Sequence, residues 1–172
     1  RLLSRGLGDV YKRQFIIHAR KGILKGLSPR QNRNIPPLNY QKVYSIKDDF
    51  PDLEIIINGG IKNISEAKNH LNFVDGVMLG RAAYDDPFML SDIDSEIYSN
   101  TKVEISRKDL LTEYLDYVHV MTKKGYDPKI MLKHVFGLKK GEKDAKRFRV
   151  KVAEIMNSSS LVENKDELLS MV

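Results

Sequence analysis

Three short apolar runs, separated by helical segments, are the feature that most constrains the fold of this chain. The runs are rich in β-branched residues and lie at Phe15–His18, Leu53–Ile57 and Asp75–Leu79, which is typical of buried strands. Between them, Tyr40–Phe50 and the segment that begins at Ser65 have the apolar spacing of helices. Strands that alternate with helices predict right-handed crossovers and a parallel sheet.

The second half of the chain has a different character. Beyond about Ser91 no further strand pattern follows, and Ser106–Asp109 resembles a capping box at the start of a long helix that ends at Gly125. Further helices are predicted at Ile130–Phe136, Glu142–Met156 and Lys165–Met171. This half therefore predicts a small helical bundle. Three strands are too few for a closed barrel, so the first half predicts the end of a larger α/β structure.

Composition narrows the functional classes. The chain has 172 residues and a formal net charge of +6, and a basic balance favours a polyanionic partner such as nucleic acid. It contains no cysteine, which excludes disulfides and thiolate metal sites and fits a cytosolic protein. No apolar run approaches the roughly 20 residues of a membrane helix, and no histidine pair has metal-ligand spacing. We therefore expect neither a membrane nor a metal partner.

The first 14 residues, Arg1 to Gln14, do not share the regular pattern. Their apolar residues follow no period, and Gly6 and Gly8 interrupt any helix. We interpret residues 1–14 as a non-native segment, a translated remnant of cloning or assembly. The alternative is a short loop or helix inherited from a longer parent.

Two strand ends carry glycine directly before a helical segment. Asn58-Gly59-Gly60 follows the second predicted strand, and Gly80-Arg81 follows the third. Glycine lets backbone N–H groups approach an anion closely, and arginine binds phosphate in a bidentate manner. In (β/α)₈ barrels the loops after the last two strands often form a phosphate site. A phosphate-bearing cofactor is one interpretation, and tight strand-to-helix turns without a ligand are the other.

His18 lies at the carboxyl end of a predicted strand, where the functional groups of barrels collect. It is a candidate hydrogen-bond donor to a cofactor, although a lone histidine is more often structural. Arg20 and Lys21 follow it and are placed to face the same open end of a barrel. The remaining histidines, His70, His119 and His134, lie in helical patterns and are interpreted as structural or exposed.

Two basic segments suit contacts with RNA phosphates. Arg30 and Arg33 lie in a proline-bounded loop, and Lys146 and Arg149 lie on the polar face of a predicted helix. Phosphate contact is one interpretation, and a solvated charged surface is the other.

Several of these stretches together resemble the tRNA-dihydrouridine synthases, and most closely their A-type branch. The resemblance is strong from Phe15 to about Ser99 and looser from His134 to Arg149. The stretches that carry it are His18-Ala19-Arg20-Lys21, Gly26-Leu27-Ser28-Pro29 with Asn32-Arg33, Ile35-Pro36-Pro37-Leu38-Asn39-Tyr40, Asn58-Gly59-Gly60-Ile61 and Asp75-Gly76-Val77-Met78-Leu79-Gly80-Arg81.

The resemblance implies an α/β fold, namely the C-terminal part of a (β/α)₈ TIM barrel followed by a small all-helical domain. It implies that residues 15–99 are the FMN-phosphate-binding end of that barrel and that residues 100–172 are a helical tRNA-binding domain. The family reduces D-loop uridines to 5,6-dihydrouridine with FMN and with NADPH as hydride donor, and the A-type branch points to positions 20 and 20a.

Site residues follow from the same resemblance. It implies that FMN is contacted by His18, Asn58, Gly59, Gly60, Gly80 and Arg81. It implies that tRNA is contacted by Arg30, Arg33, Lys146 and Arg149.

The chain departs from the family pattern at the catalytic acid. The cysteine that serves as general acid in the family lies in the first half of the barrel, and this chain contains no cysteine. We therefore predict that the parent is the enzyme and that this polypeptide alone is inactive. The alternative function is a catalytically inactive RNA-binding module that carries a degenerate barrel remnant. Oligomeric state does not follow from the sequence.

Overall fold

A computed structural model describes residues 13–98, 100–158 and 161–172. The chain divides between Gly80 and Arg81 into two compact units. Of the segment interpreted as non-native, residues 1–12 lie outside the described residues. The sequence predicts a different boundary, between a partial barrel that ends at residue 99 and a helical domain that begins at residue 100. That boundary stays a prediction.

The first unit contains the predicted parallel sheet. Its strands are β1 (Gln14–His18), β2 (Glu54–Asn58) and β3 (Gly76–Met78), in the order β1-β2-β3. Both pairs of neighbouring strands are parallel, which confirms the mixed α/β fold. β1 begins one residue earlier than predicted, because Gln14 pairs with Glu54 in the ladder and donates from Nε2 to Glu54 Oε1 over 2.7 Å.

Helices α1 (Pro29–Asn32), α2 (Tyr40–Asp49) and α3 (Ile64–Leu71) complete this unit. Asparagine side chains cap two of them: Asn39 accepts from Lys42 N, and Asn63 accepts from Glu66 N. A core of buried side chains lies between α2, α3 and the sheet. It contains Ala19, Val43, Ile55, Ile57, Ile61, Ala67 and Val74.

The prediction that the helix beginning at Tyr40 extends to Phe50 is wrong. The helix ends at Asp49, and Phe50 has φ −131° as the capping residue, with 55% of its surface exposed. The apolar period therefore breaks where the backbone leaves the helix, whereas Val43 within the helix is buried.

An ion pair stabilises the amino-terminal end of the sheet. Lys47 Nζ lies 2.9 Å from Asp75 Oδ2, which also accepts from the Ile55 backbone N–H over 2.8 Å. The hydrogen bond from Lys47, then that from Ile55, lowers the pKa of Asp75. This pair joins the end of α2 to the starts of β2 and β3.

The second unit is helical, as predicted. Its longest helices are α6 (Arg107–Lys123), α8 (Ala145–Ser158) and α9 (Leu161–Ser170). The shorter elements are α4 (Arg81–Asp85), a 3₁₀ helix at Pro87–Asp92, α5 (Ile93–Glu96), α7 (Pro128–Leu132) and a 3₁₀ helix at Lys133–Val135. Its core contains Leu111, Leu115, Val118, Leu132, Val135, Leu138, Phe148, Val152, Ile155 and Leu168.

Three helix predictions need correction. The helix predicted over Ile130–Phe136 changes from α7 to a 3₁₀ turn at Lys133. Helix α8 begins at Ala145 and not at Glu142, because Gly141 and Asp144 have φ of +80° and +61°, which an α-helix does not allow. Helix α9 begins at Leu161, four residues before its predicted start at Lys165, and ends at Ser170.

Arg107 connects α6 to other parts of the second unit. Its guanidinium lies 3.9 Å from the ring centroid of Phe88, its Nε donates to the Leu138 carbonyl oxygen over 3.0 Å, and its Nη1 lies 3.1 Å from Glu142. Among the described helices, none is long and apolar enough to cross a membrane.

Candidate functional site

The carboxyl ends of the three strands form one row at the edge of the sheet. His18 pairs in register with Asn58, and Asn58 pairs with Met78. Backbone and side-chain contacts hold the row together: Ala19 N donates to the Asn58 carbonyl oxygen over 2.8 Å, and Asn58 Nδ2 donates to the Met78 carbonyl oxygen over 2.9 Å. The sequence-predicted residues His18 and Asn58 are therefore neighbours.

Gly59 and Gly60 turn the chain directly after β2, and both have the left-handed backbone that favours glycine, with φ of +119° and +74°. A Cβ on Gly59 would lie 3.0 Å from His18 Cε1, and a Cβ on Gly60 would lie 2.5 Å from Leu38 Cδ1. Packing against His18 and Leu38 is thus enough to require glycine here. Ligand binding at this turn stays a prediction.

Tyr40 holds the same turn from the other side. Its hydroxyl donates to the Gly59 carbonyl oxygen over 3.0 Å. Its ring lies edge-on to that of His70 at a centroid distance of 4.4 Å. Burial, assisted by the negative charge of Glu66, raises the pKa of Tyr40, so the hydroxyl remains a donor. The sequence gives no sign of this contact of Tyr40, because its partner lies 19 positions along the chain.

His70 is buried at the interface of α2 and α3, as the structural interpretation predicted. Its Nδ1 shares a hydrogen bond of 2.6 Å with the Tyr44 hydroxyl. Burial lowers the pKa of His70, and the opposing effect of Glu66 is smaller. His134 is also accounted for by packing, since its ring lies edge-on to Tyr84 at 5.5 Å. No cluster of three or more potential metal ligands occurs among the described residues.

Gly80 and Arg81 lie two and three residues beyond β3. Both are exposed, and nothing lies within 4 Å of the position that a Cβ on Gly80 would take. Gly80 is the last residue of the first unit, and Arg81 is the first residue of α4 in the second. The predicted cooperation of these two residues with the Gly59–Gly60 turn stays a prediction.

The basic loop, defined as residues 20–34, leaves the sheet beside His18. Arg20, the first residue of the loop, binds the chain at the loop's other end, because its Nη1 donates to the carbonyl oxygens of Asn34 and Pro36. Arg20 also forms an isolated antiparallel bridge with Leu38, and Asn39 N donates to the Ala19 carbonyl oxygen over 2.7 Å. The two ends of the loop are thus held side by side.

The Asn32 side chain forms hydrogen bonds across the basic loop. Its Oδ1 accepts from Ile23 N over 2.8 Å, and its Nδ2 donates to the Ile23 carbonyl oxygen over 2.9 Å. A capping box between Ser28 and Gln31 starts α1 in the same loop. Asparagine in a proline-bounded loop suggests a turn, but the sequence gives no sign of a partner nine positions away.

The four residues predicted to contact tRNA are all exposed. Arg30 lies in α1 and Arg33 is its capping residue, while Lys146 and Arg149 lie on α8 in the other unit. Lys151, another lysine of α8, is partly buried, with 18% of its side chain exposed, and it is paired with Glu167 at 2.5 Å. Lys151 therefore contributes less exposed positive charge to α8 than Lys146 and Arg149 do.

A sequence model described as dihydrouridine synthase matches residues 12–171 of the chain. The chain belongs to the dihydrouridine synthase family.

Curated relatives agree with this membership. The chain is 44% identical over 137 residues to the tRNA-dihydrouridine(20/20a) synthase of Pseudomonas putida, which covers 80% of this chain and 41% of the relative. It is 43% identical over 144 residues to the protein of the same name from Haemophilus ducreyi, covering 84% and 45%. The match to that from Shewanella oneidensis is 40% over 153 residues, covering 89% and 44%. The chain thus spans less than half the length of these dihydrouridine synthases.

Proposed function

We propose that this chain is the cofactor-phosphate and tRNA-binding end of a tRNA-dihydrouridine synthase. Its parent would reduce uridines at positions 20 and 20a of the D-loop, with FMN as cofactor and NADPH as hydride donor. Family membership and the names of the relatives support this activity. The matches to synthases favour it over the inactive RNA-binding module. A tRNA substrate would place the parent in the cytoplasm.

The parallel sheet supports a finer assignment of the fold. We infer that β1, β2 and β3 are the last three strands of an eight-stranded barrel, because barrels commonly bind phosphate in the loops after their final two strands. Under this assignment the Asn58–Gly60 turn follows strand seven and the Gly80–Arg81 pair follows strand eight. About five βα units of the barrel would precede this chain.

The observation that carries the proposal is the glycine turn at the end of β2. Gly59 and Gly60 place backbone without side chains at the carboxyl edge of the sheet, with the His18 ring against Gly59. At the end of β3, Gly80 also leaves open space where a side chain would stand. These residues fit an anionic phosphate group, which backbone N–H groups bind when no Cβ intervenes.

Each residue would then have a distinct task. Gly59, Gly60 and Gly80 would bind phosphate through the backbone, and Arg81 would neutralise it. Asn58 would fix the spacing of the two turns through its hydrogen bond to Met78. His18 would contact the cofactor from the end of β1. The bound flavin would supply the hydride that reduces the C5–C6 bond of the base.

Substrate binding would use the exposed cations of both units. Arg30 and Arg33 in the basic loop, and Lys146 and Arg149 on α8, would bind tRNA phosphates. The family's general-acid cysteine is absent from this chain. We therefore expect the 172-residue chain alone to form no dihydrouridine.

The test uses a completed protein, in which residues 15–172 follow the part of the Pseudomonas putida synthase that precedes its match to this chain. We expect this protein to bind FMN, measured by quenching of flavin fluorescence. Arg81→Ala should weaken binding at least about tenfold, because charged hydrogen-bond partners contribute about 1.5–3 kcal/mol. The control Lys140→Ala removes an exposed cation outside the proposed site and should leave FMN affinity unchanged. Equal FMN affinity in the Arg81 variant would refute the assigned phosphate site.

A further inference from the structure

The basic loop contains five cationic residues and no acidic one. The cations are Arg20, Lys21, Lys25, Arg30 and Arg33. A loop with this balance attracts polyanions. Charge by itself does not separate a specific contact from a solvated surface, so the apolar residues within the loop decide between them.

Leu24 is the most exposed large apolar side chain in the described part of the chain. It is 97% exposed, and the preceding Ile23 is 41% exposed. Gly22 and Gly26 flank this pair, and nothing lies within 4 Å of the position a Cβ would take on either glycine. The loop therefore projects an apolar tip into open space, with Lys21 and Lys25 on either side of it in sequence.

The tip is held in a defined conformation. Asn32 binds both the N–H and the carbonyl group of Ile23, directly before Leu24. Arg20 holds the far end of the loop through the carbonyl groups of Asn34 and Pro36. A preformed loop binds more tightly than a flexible one, because less conformational entropy is lost on binding.

The loop begins at the same edge of the sheet as the candidate cofactor site. Arg20 lies two residues beyond His18, and Ala19 is hydrogen-bonded to Asn58. An enzyme that acts on a base within folded RNA must take that base out of its stack. Apolar side chains stack against a displaced base at such sites, and in DNA-binding proteins they also insert between neighbouring bases.

We propose that Leu24 contacts tRNA by packing against an unstacked nucleotide, and that Asn32 is the positioning residue that holds it there. The inference rests on the proposed function, since it takes tRNA as the substrate. The cations of the loop supply the phosphate contacts, and Leu24 supplies an apolar contact that does not depend on salt.

The experiment measures binding of the 172-residue chain to an unmodified tRNA transcript at several salt concentrations. Leu24→Ser should weaken binding about tenfold, which corresponds to exposing one buried leucine side chain again. The slope of affinity against salt should stay the same, because no cation is removed. Val103→Ser changes another exposed apolar residue, 67% exposed and outside the basic loop, and should bind as the unaltered chain does.

A second variant tests the positioning role. Asn32→Ala removes no charge, yet it should weaken tRNA binding about as much as Leu24→Ser and accelerate hydrogen exchange at the Ile23 amide. A transcript with 2-aminopurine in the D-loop reports unstacking directly. Its fluorescence should rise on binding the unaltered chain and should rise much less with Leu24→Ser.

The outcomes separate the two proposals. Tight tRNA binding by the unaltered chain, matched by Leu24→Ser, would overturn the role of Leu24 and leave the proposed function standing. No tRNA binding by the unaltered chain would count against both. Loss of binding by Leu24→Ser to vesicles of anionic lipid, with tRNA binding unchanged, would identify a membrane contact and overturn the inference.

Discussion

The Asn58 side chain donates a hydrogen bond of 2.9 Å to the Met78 carbonyl oxygen, and so ties the end of β2 to the end of β3. The backbone ladder between these strands pairs only Ile56–Asn58 with Gly76–Met78. A side-chain bond at its last rung therefore adds to a short pairing. The bond also joins the residue directly before Gly59 to the residue two positions before Gly80.

We predict that Asn58→Asp destabilises the chain by about 1 kcal/mol, because the aspartate lacks the amide donor and places negative charge beside a carbonyl oxygen. Urea unfolding followed by circular dichroism measures this change. Asn72→Asp, an exposed position at the end of α3, is the matched control and should change stability little. Equal stability of both variants would show that the Asn58 bond contributes nothing.

Gly60 and Gly80 are predicted to respond differently to alanine. Gly60→Ala places a Cβ 2.5 Å from Leu38 Cδ1 at a φ of +74°, and should cost about 1–3 kcal/mol of folding free energy. Gly80→Ala meets nothing within 4 Å and should leave the melting temperature of the 172-residue chain nearly unchanged.

For flavin binding, Gly80→Ala is the variant of this pair that tests the proposed site. In the completed protein, Gly80→Ala should weaken FMN binding, since its Cβ would stand where the phosphate approaches the backbone. Normal FMN affinity in Gly80→Ala would show that the end of β3 does not bind phosphate, even if the Gly60 result holds.

Stability should fall as pH decreases through the ordinary histidine range. Burial lowers the pKa of His70 below its usual 6.5. Between the two values the unfolded chain binds more protons than the folded chain, so this contribution is fully present above 6.5 and is lost as pH falls. His70→Gln should flatten the dependence of unfolding free energy on pH in this window.

Tyr44→Phe is the matched control for that measurement. It removes the hydroxyl that bonds His70 Nδ1 but leaves the ring buried, and burial is the main cause of the lowered pKa. The variant should be less stable and should keep the same direction of pH dependence. A flat profile in the unaltered chain would contradict this account of His70.

The sequence predicts well what depends on neighbouring residues. The parallel order of three strands, the turn at Gly59–Gly60 and the helix start at Ser106 all follow from local composition and spacing. The neighbouring positions of His18 and Asn58 follow from the rule that parallel strands end at a common edge.

Contacts between distant residues were not predictable in this way. Phe50 fits the apolar period of α2, but the helix ends one residue before it. By its position in the sequence, Lys151 belongs with the other basic residues of α8. In the structure it pairs with Glu167, which lies 16 positions later. Asn32 binds backbone groups of Ile23, 9 residues away, and Tyr40 binds the backbone of Gly59, 19 residues away. No local pattern encodes such partners, because the folded backbone alone brings them together.

The measurement that tests the central claim most directly is the dihydrouridine content of tRNA. The completed protein is supplied to tRNA from a bacterium that lacks its own enzyme for positions 20 and 20a, with FMN and NADPH. We predict dihydrouridine at these positions with the completed protein and none with the 172-residue chain alone. A folded, flavin-loaded completed protein that forms no dihydrouridine there would contradict the account, and so would turnover by the chain alone.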